Sequence, residues 1–454
     1  MFNNHANNKK IIAYVKTSIN IASNPKNNIK KKINNILKYE KKNNLYDLQN
    51  DYFVWDYFRL KINTIIENYE NQNFKFRSFI DSVLNLLKFS KLNYLPFLLP
   101  KKKVDFIFFG HPRGELNSGE IFDEYIDPLI DYMYHYKKKS VVMGFPHLAF
   151  GTKYNHLNKR FYIHWIYLII RISTFFQFNF GKISKFYPKK FKKIGYDILL
   201  KINIEKWWFN FLSKTKPKNI FFVNKQASMP ILRAANKLNI NSYEIQHGSP
   251  DENKLTYNYY TKLRLNIPTY YVGWGKYWKN KMKNYYKKKF IIMGRDLSKK
   301  IPKCKKKNNN VLIIDQLIGR KMLVNKAIRL KKINNNLDIC YRFHPSITDI
   351  SSYNKTLKKY NIKTSLPLER SLRKDLKNVR HIISHSSTAI YELGCRNYDI
   401  YIAGSDHKSV GPMSYIKKFS SNKKKFGLIK LDSSKMKKSK LFEKLNYKFL
   451  KNLN

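Results

Sequence analysis

Three short polar clusters lie where predicted strands end or a predicted helix begins. They are Gln246-His247-Gly248, Arg342-Phe343-His344-Pro345 and Ser384-His385-Ser386-Ser387-Thr388. Ligands of open α/β sheets bind in the crevice outside the carboxyl ends of the strands. Histidines and a group of hydroxyls at three such positions therefore predict one composite site for an anionic, phosphorylated ligand.

The side chains of the second and third clusters suit a phosphate. Arg342 presents a planar fork of donors that matches phosphate oxygens, and His344 can act as hydrogen-bond donor or general acid toward a phosphate leaving group. The hydroxyls of Ser386 to Thr388 precede a predicted helix, whose free N–H groups favour a phosphate. Pro345 and Glu392 are expected to line the nucleotide, with Glu392 accepting hydrogen bonds from a ribose or base. The simpler alternatives are a structural turn at His344 and ordinary helix capping by the hydroxyls.

His247 is the first candidate for a catalytic base. Its imidazole titrates near neutral pH, and it closely follows the predicted strand SYEI. Gly248 is expected to permit a tight turn at this point, and both Gly248 and Gln246 are expected on the acceptor side of the site. The alternative is a histidine with a purely structural role.

A second set of candidates occupies residues 110–128, GHPRGELNSGEIFDEYIDP. His111 and Arg113 are expected to face the acceptor, and the carboxylate of Glu115 or Asp127 could deprotonate a hydroxyl. This concentration of acids is unusual in a chain that has only 30 acidic residues. The alternative is a solvated loop followed by a helix whose first turn is stabilised by acids.

Several familiar motifs are missing from the sequence. It contains no GxxxxGK[ST], GxGxxG, HExxH or GxSxG pattern, which disfavours P-loop hydrolysis, dinucleotide binding, zincin chemistry and the hydrolase elbow. It also lacks a DxD pair that could hold a divalent cation. We therefore expect a metal-independent reaction without a cofactor, in which positive groups and helix dipoles stabilise the departing group.

The composition combines ample apolar residues with an extreme positive charge. Hydrophobic residues make up 43% of the 454 residues, and 89 Lys and Arg against 30 acids give a net charge of +59. The chain is rich in Lys, Asn, Ile, Tyr and Phe, whose codons are AT-rich, so genome composition is an alternative explanation for the many lysines. A basic surface attracts anionic lipid headgroups and polyanions whatever its origin. Nucleic-acid binding is thus an alternative function, although the aromatic residues lie mostly in apolar runs rather than basic stripes.

The predicted location is the cytoplasm, peripheral on the inner membrane. Three cysteines without CxxC spacing predict neither a disulfide framework nor a zinc site, and the N-terminus lacks an apolar signal region. The longest apolar stretch, Phe161 to Phe180, is interrupted by His164, Arg171 and Gln177. It predicts a buried or interfacial helix that could rest on an anionic membrane face.

Apolar strand-like runs alternate with amphipathic stretches twice along the chain, first from VDFIFFG and again from VLIID. This alternation predicts an α/β protein with two Rossmann-like domains and mainly parallel sheets. The predicted units are a basic helical N-terminal extension (1–100), a first Rossmann-like domain (101–295), a linker (296–310), a second Rossmann-like domain (311–430) and a C-terminal basic helix (431–454).

The clusters and the two domains resemble a known architecture. Two Rossmann-like domains facing a cleft are similar to the GT-B glycosyltransferase fold. His344-Pro345 followed by Ser386-Ser387 resembles the His-Pro and serine motifs of bacterial capsule sialyl-, polysialyl- and Kdo-transferases. Together with Gln246-His247-Gly248, the motifs also resemble CDP-glycerol glycerophosphotransferases of teichoic-acid synthesis. Two departures are Gly114-Glu115, which reverses the acidic residue–glycine order of sialyltransferases, and Gln246, where the teichoic-acid enzymes usually have an aromatic residue.

The resemblance implies a glycosyltransferase of surface polysaccharide. Domain 101–295 would hold a saccharide or lipid-linked acceptor, and domain 311–430 a nucleotide-sugar donor, with cytidine favoured. His247 or an acid of residues 115–127 would be the base, and Arg342, His344 and residues 386–388 would hold the donor phosphate. A CDP-alditol phosphotransferase, a polyanion-binding protein and a non-catalytic scaffold are the alternatives; no specific nucleic acid is expected as a partner.

Overall fold

The computed structural model describes most of the chain. The described residues are 5–24, 27, 29–45, 54–68, 103–110, 115–117, 120–135, 139–144, 160–180, 192–248, 250, 257, 265–282, 289–298, 301–304, 310–316, 319–344, 350–367, 369–385, 387–403 and 419–451. Four candidate site residues, His111, Arg113, Pro345 and Ser386, lie outside these ranges.

The strands of the first sheet are short apolar runs. Helices cover both faces of a parallel sheet, so the side chains on both sides of each strand are buried. The strands are β1 (Phe106–Phe109), β2 (Glu115–Asn117), β3 (Glu120–Phe122), β4 (Ser140–Gly144), β5 (Arg160–Tyr162), β6 (Asn219–Val223), β7 (Asn241–Ile245), β8 (Tyr270–Gly273) and β9 (Phe290–Ile292). Seven of them form a parallel sheet in the order β5-β4-β1-β6-β7-β8-β9, while β2 and β3 form a separate hairpin.

The second sheet also consists mainly of parallel strands, but two antiparallel strands form one of its edges. Its strands are β10 (Asn310–Ile314), β11 (Ile339–Arg342), β12 (Lys363–Ser365), β13 (Val379–Ser384), β14 (Asp399–Ile402), β15 (Ser420–Lys425) and β16 (Leu428–Leu431). They pair in the order β12-β11-β10-β13-β14-β16-β15. The first five are parallel, and the β15–β16 hairpin adds two antiparallel strands at the β14 edge.

Both sheets reverse their strand order beside their first strand. In the first sheet the reversal lies between β1 and β6, and in the second between β10 and β13. Such a reversal opens the crevice at the carboxyl ends of the strands where α/β proteins bind ligands. The structure thus confirms the predicted α/β class with two Rossmann-like, parallel-sheet domains, the GT-B-like arrangement.

Helices cover the two faces of the first sheet. The helices within the described residues are α1 (His5–Ser23), α2 (Ile29–Asn43), α3 (Trp55–Asn68), α4 (Asp127–His135), α5 (His164–Phe180), α6 (Lys192–Thr215), α7 (Lys225–Lys237), α8 (Lys276–Lys281), α9 (Arg320–Ile333), α10 (Ser351–Lys359), α11 (Leu372–Asp375), α12 (Ala389–Gly394), α13 (Ser433–Lys438) and α14 (Lys448–Lys451). Side chains of α1 to α3 and α5 to α7 share one core with the sheet, whereas α4 and α14 cover the other face.

Buried ion pairs connect the N-terminal helices to the first domain. The Arg233 guanidinium on α7 contacts Asp56 of α3 and Glu205 of α6, each at 2.9 Å. Tyr57 of α3 donates a hydrogen bond to the same Glu205. Because an unpaired buried charge is costly, these contacts make α3 part of the domain core rather than a separate appendage.

The C-terminal segment, residues 439–451, crosses from the second domain to the first. The Glu443 N–H donates to Trp274 O at 2.8 Å, and the Asn446 N–H donates to Met293 O at 2.7 Å. These bonds join the segment to the residues that follow β8 and β9. The end of the chain therefore closes one side of the first domain.

This segment differs from the single basic helix expected over 431–454. Among the described residues 431–451 only α13 and α14 are helical. Leu441 belongs to a core cluster that contains residues of both domains, including Trp274 and Met436, and Leu450 belongs to the core on one face of the first sheet. An extended chain covers about 3.3 Å per residue against about 1.5 Å in a helix, so it can reach both cores. Gly294 permits the close approach: its φ is +77°, and an added Cβ would lie 2.3 Å from Lys444 O.

His381 on β13 should make the second domain sensitive to acid. Its ring packs between Tyr401 and Phe426, with centroids 5.6 and 5.5 Å away, and its Nε2 lies 3.0 Å from Lys425 Nζ. Burial, and then the neighbouring ammonium, lower the pKa of His381 to about 4 from 6.5. The unfolded chain therefore binds the extra proton between pH 6.5 and 4, so stability falls as the pH falls through this window.

We expect urea denaturation to show this loss, amounting to up to about 3 kcal/mol between pH 7 and pH 4. In His381→Gln, which keeps a hydrogen-bond acceptor without the titration, the free energy of unfolding should fall less steeply. Parallel pH profiles for the natural chain and the variant would contradict this role of His381.

Candidate functional site

The buried carboxylate of Asp315 organises the loops after β10 and β11. It is fully buried and forms an ion pair with Arg320 Nε at 2.9 Å. It also accepts hydrogen bonds from the Tyr341 hydroxyl at 2.8 Å and from the His344 backbone N–H at 3.1 Å. Asp315 thereby fixes the backbone of His344, whose side chain remains partly exposed.

Arg342 is held by internal acceptors. Its Nη1 donates to Asp375 Oδ2 at 2.5 Å, to Arg370 O at 2.8 Å and to Ser365 Oγ at 3.2 Å. The side chain is only 7% exposed. The structure thus gives Arg342 a part in joining β11, β12 and α11, and its contact with a donor phosphate stays a prediction.

The end of β13 is fixed by two hydrogen bonds. Ser384 Oγ donates to Ile314 O at 2.9 Å, and His385 Nδ1 lies 2.8 Å from Ala403 O. Because a carbonyl only accepts, Nδ1 carries the proton and Nε2 of a neutral ring is an acceptor. Farther on, Ser387 Oγ accepts the Ala389 N–H at 3.2 Å, which is a capping role of the kind weighed from the sequence.

The first-domain cluster is held by the amide of Gln246. This buried side chain accepts the Trp274 N–H through Oε1 and donates to Gly248 O through Nε2, each at 2.9 Å. The amide therefore closes the loop around His247, whose side chain is partly exposed. Gly248 has no positive φ, so its backbone conformation is one that other residues can also adopt.

The clusters of the two domains meet at Gly248 and Thr388. A Cβ added to Gly248 would lie 3.6 Å from Thr388 Oγ1, in ordinary van der Waals contact. Tyr125, near the start of α4, donates from its hydroxyl to His247 O at 3.2 Å. Residues that follow β7 and β13 thus lie next to each other where the two domains meet.

Arg295 joins the two domains through ion pairs. Its Nη2 lies 2.8 Å from Glu124 of the first domain and 2.9 Å from Glu392 of α12 in the second. The guanidinium also stacks on Trp274, 4.6 Å from the ring centroid. Burial alone would lower the pKa of Arg295, but Glu392 and then Glu124 outweigh it and raise the pKa. Glu392, expected to contact a ribose or base, is thus paired with a cation.

The acidic residues between positions 115 and 127 differ from one another in their surroundings. Asp127 is buried, and its Oδ2 accepts the Asp123 N–H at 2.8 Å; Asp123 Oδ1 in turn accepts the N–H groups of Tyr125 and Ile126 at 3.0 and 3.2 Å. These bonds cap α4, as helix starts require. Glu115 lies in the β2–β3 hairpin, and its side chain falls outside the described part of the chain.

A further buried pair lies at the carboxyl ends of β6 and β7. Glu244 accepts the Lys225 backbone N–H at 3.1 Å and the Tyr257 hydroxyl at 2.7 Å. Burial lowers the pKa of Lys225 to about 7 and raises that of Glu244. No sequence motif pointed to this pair, although Lys225 closely follows an apolar strand just as His247 does.

The described residues contain no group of three or more His, Cys, Asp or Glu side chains arranged to hold a metal ion. Neither a protein-family model nor a curated protein matches the sequence.

Several solved structures share the general arrangement. A UDP-GlcNAc 2-epimerase from Neisseria meningitidis bound to UDP-GlcNAc has 12% identity and a TM-score of 0.42, over 74% of this chain and 89% of that chain. The Methanocaldococcus jannaschii epimerase has 14% identity and a TM-score of 0.41, over 76% and 94%. MurG of Acinetobacter baumannii has 11% identity and a TM-score of 0.33, over 64% and 75%. Similarities of this size establish neither the substrate nor the reaction of this chain.

Removing the charge of Arg295 should destabilise the protein strongly. Arg295→Met leaves the half-buried carboxylate of Glu124 and the buried carboxylate of Glu392 without their shared cation. We expect the free energy of unfolding to fall by about 3–5 kcal/mol, measured by urea denaturation at pH 7.5.

Two further variants test whether the lost charge, rather than the lost bulk of Arg295, causes the destabilisation. Arg295→Lys should lose less stability, and adding Glu392→Gln to Arg295→Met should restore part of it, because one buried charge is then removed. An Arg295→Met protein with the urea midpoint of the natural chain would contradict the argument.

Proposed function

We propose that this protein is a glycosyltransferase of surface-polysaccharide biosynthesis. It transfers a sugar from a nucleotide-activated donor, with cytidine favoured, to a saccharide acceptor. The observation that carries the proposal is the meeting of Gly248 and Thr388, because it brings the motif clusters of two Rossmann-like domains to one cleft. A cleft between two such domains suits a reaction that joins two substrates.

On the donor side, the phosphate would lie outside the carboxyl ends of β10, β11 and β13. His344 is held there through its backbone and keeps a partly exposed ring. The α9 helix begins at Arg320 directly after Gly319, which provides no side-chain cap. A 14-residue helix that starts at this point presents free N–H groups and the positive end of its dipole to an anion.

On the acceptor side, His247 is the favoured base. Its backbone is fixed by the Gln246 amide and the Tyr125 hydroxyl, while its ring is partly exposed. Asp127 is less suited because its carboxylate already caps α4. Glu115 remains a candidate from the sequence alone.

The reaction would proceed as a displacement at the anomeric carbon. The imidazole of His247 takes the proton of the acceptor hydroxyl, whose oxygen forms the new bond to that carbon. The bond from the carbon to the donor phosphate oxygen breaks, and its electron pair stays on the phosphate. His344, the hydroxyl of Thr388 and the start of α9 would stabilise that charge.

The proposed location is peripheral, on the cytoplasmic face of the inner membrane. A lipid-linked saccharide acceptor would be available there, and the net charge of +59 favours anionic lipid.

His344→Ala should bind the donor nucleotide more weakly and still fold. In a thermal-shift screen against CMP, CDP, UDP and GDP, we expect a selective rise in melting temperature with a cytidine nucleotide. Loss of one hydrogen bond to a charged phosphate should weaken that binding by roughly tenfold or more. His381→Gln, a histidine variant of the same domain placed inside β13, is the matched control and should keep the shift.

Activity and product analysis complete this test. His344→Ala with full transferase activity would remove His344 from the donor site. A product linked by phosphodiesters would instead identify a CDP-alditol phosphotransferase. No nucleotide shift in the natural protein, with a salt-sensitive response to a DNA oligonucleotide, would favour polyanion binding.

A further inference from the structure

Helix α5 carries a line of exposed apolar side chains along one face. We call Ile169, Ile172, Phe176 and Phe180 the α5 stripe; their exposed fractions are 60%, 40%, 54% and 80%. At about 100° per residue the four side chains fall within a sector of about 80°, and they extend about 16 Å along the helix. The rings of Phe176 and Phe180 stack with centroids 5.7 Å apart. The stripe is therefore a continuous apolar surface rather than scattered residues.

The opposite face of α5 is firmly packed. The Asn203 amide on α6 donates to Thr174 Oγ1 and Gln177 Oε1, each at 2.9 Å. Trp208 Nε1 donates to the Tyr167 hydroxyl at 2.8 Å. These hydrogen bonds hold one side of α5 against α6. The stripe on the other side therefore faces outward.

The part of the chain that contains and follows the stripe carries positive charge. The sequence from His164 to Lys193 contains no acidic residue, and its part from Gly181 onward contains six lysines. Two of these, Lys192 and Lys193, are exposed at the start of α6. That start lies beside the end of α5, since the Phe178 and Tyr196 rings are 6.0 Å apart. An apolar face is thus combined with cations at one end.

This combination fits an anionic lipid surface better than other partners. An apolar face bordered by cations is what holds interfacial helices at the headgroup boundary. A nucleic acid would use the cations but leave the apolar side chains in water. A second copy of this chain would bring another net charge of +59 to the same surface, which opposes association. No helix in the described ranges has the length and apolarity needed to cross a bilayer.

We propose that the α5 stripe docks on an anionic membrane, with its four apolar side chains at the boundary between headgroups and acyl chains. Lys192 and Lys193 would contact the phosphates of the headgroups. This inference identifies the surface that produces the proposed peripheral location. It would turn the α5 side of the first domain, the acceptor domain, toward the membrane.

Sedimentation with vesicles tests the docking on the full chain. The vesicles contain phosphatidylcholine alone or with phosphatidylglycerol, and no nucleotide is present, so a failed donor assignment does not affect the result. We expect binding to the anionic vesicles that weakens as salt is raised. Ile172→Glu/Phe176→Glu should bind at least tenfold more weakly.

Ile333→Glu is the matched control. Ile333 is 72% exposed on α9 in the other domain, so this variant makes the same kind of change away from the stripe and should bind as the natural chain does. All proteins are compared by thermal melting. If Ile172→Glu/Phe176→Glu melts early, Lys192→Glu/Lys193→Glu at the exposed end of α6 provides the second measurement and should also weaken binding to the anionic vesicles.

Three results would overturn the proposal. The first is a natural chain that stays in the supernatant with anionic vesicles at low salt. The second is a stripe variant that binds as tightly as the natural chain. The third is self-association without lipid, seen by light scattering and lost in Ile172→Glu/Phe176→Glu, which would assign the stripe to a second copy.

Discussion

One buried guanidinium joins the two domains at the level of the candidate site. Arg295 follows β9 in the first domain, yet it lies between Glu124 of that domain and Glu392 of the second. Its backbone N–H also donates to Glu443 O in the C-terminal segment at 3.0 Å. Buried charges are tolerated only when all partners are in place. The position of one sheet relative to the other is therefore tied to this contact, and so is the shape of the cleft.

Both domains present their histidine in the same way. A buried polar side chain at a strand end fixes the backbone, and the histidine nearby keeps a partly exposed ring. Asp315 does this for His344 through one hydrogen bond, and Gln246 does it for His247 through two. The buried residue supplies rigidity, so each partly exposed imidazole is attached to a backbone that lacks the flexibility of an ordinary loop.

The sequence predicted what depends on local pattern and missed what depends on distant partners. Apolar runs located the strands because parallel sheets bury both faces, and two of the polar clusters lie next to each other at Gly248 and Thr388. Arg342 had the chemistry of a phosphate ligand, but Asp375, the acceptor at 2.5 Å, lies 33 residues farther on. The β15–β16 hairpin was missed because its turn uses Phe426 and Gly427, with φ of +59° and +65°, instead of the familiar Asn-Gly. Asp315 and Arg295 follow strands too, and attention to every charged residue at a strand end would have found them.

The C-terminal segment has a consequence for how the protein is made. Leu450 belongs to the core on one face of the first sheet, although the strands of that sheet begin at Phe106. Domains of a growing chain generally fold in order as they leave the ribosome. Here the core of the first domain is complete only after residues more than 300 positions later in the chain have been synthesised. Until those residues emerge, one apolar face of the first sheet stays incomplete, which is the interval in which a nascent chain most needs chaperone protection.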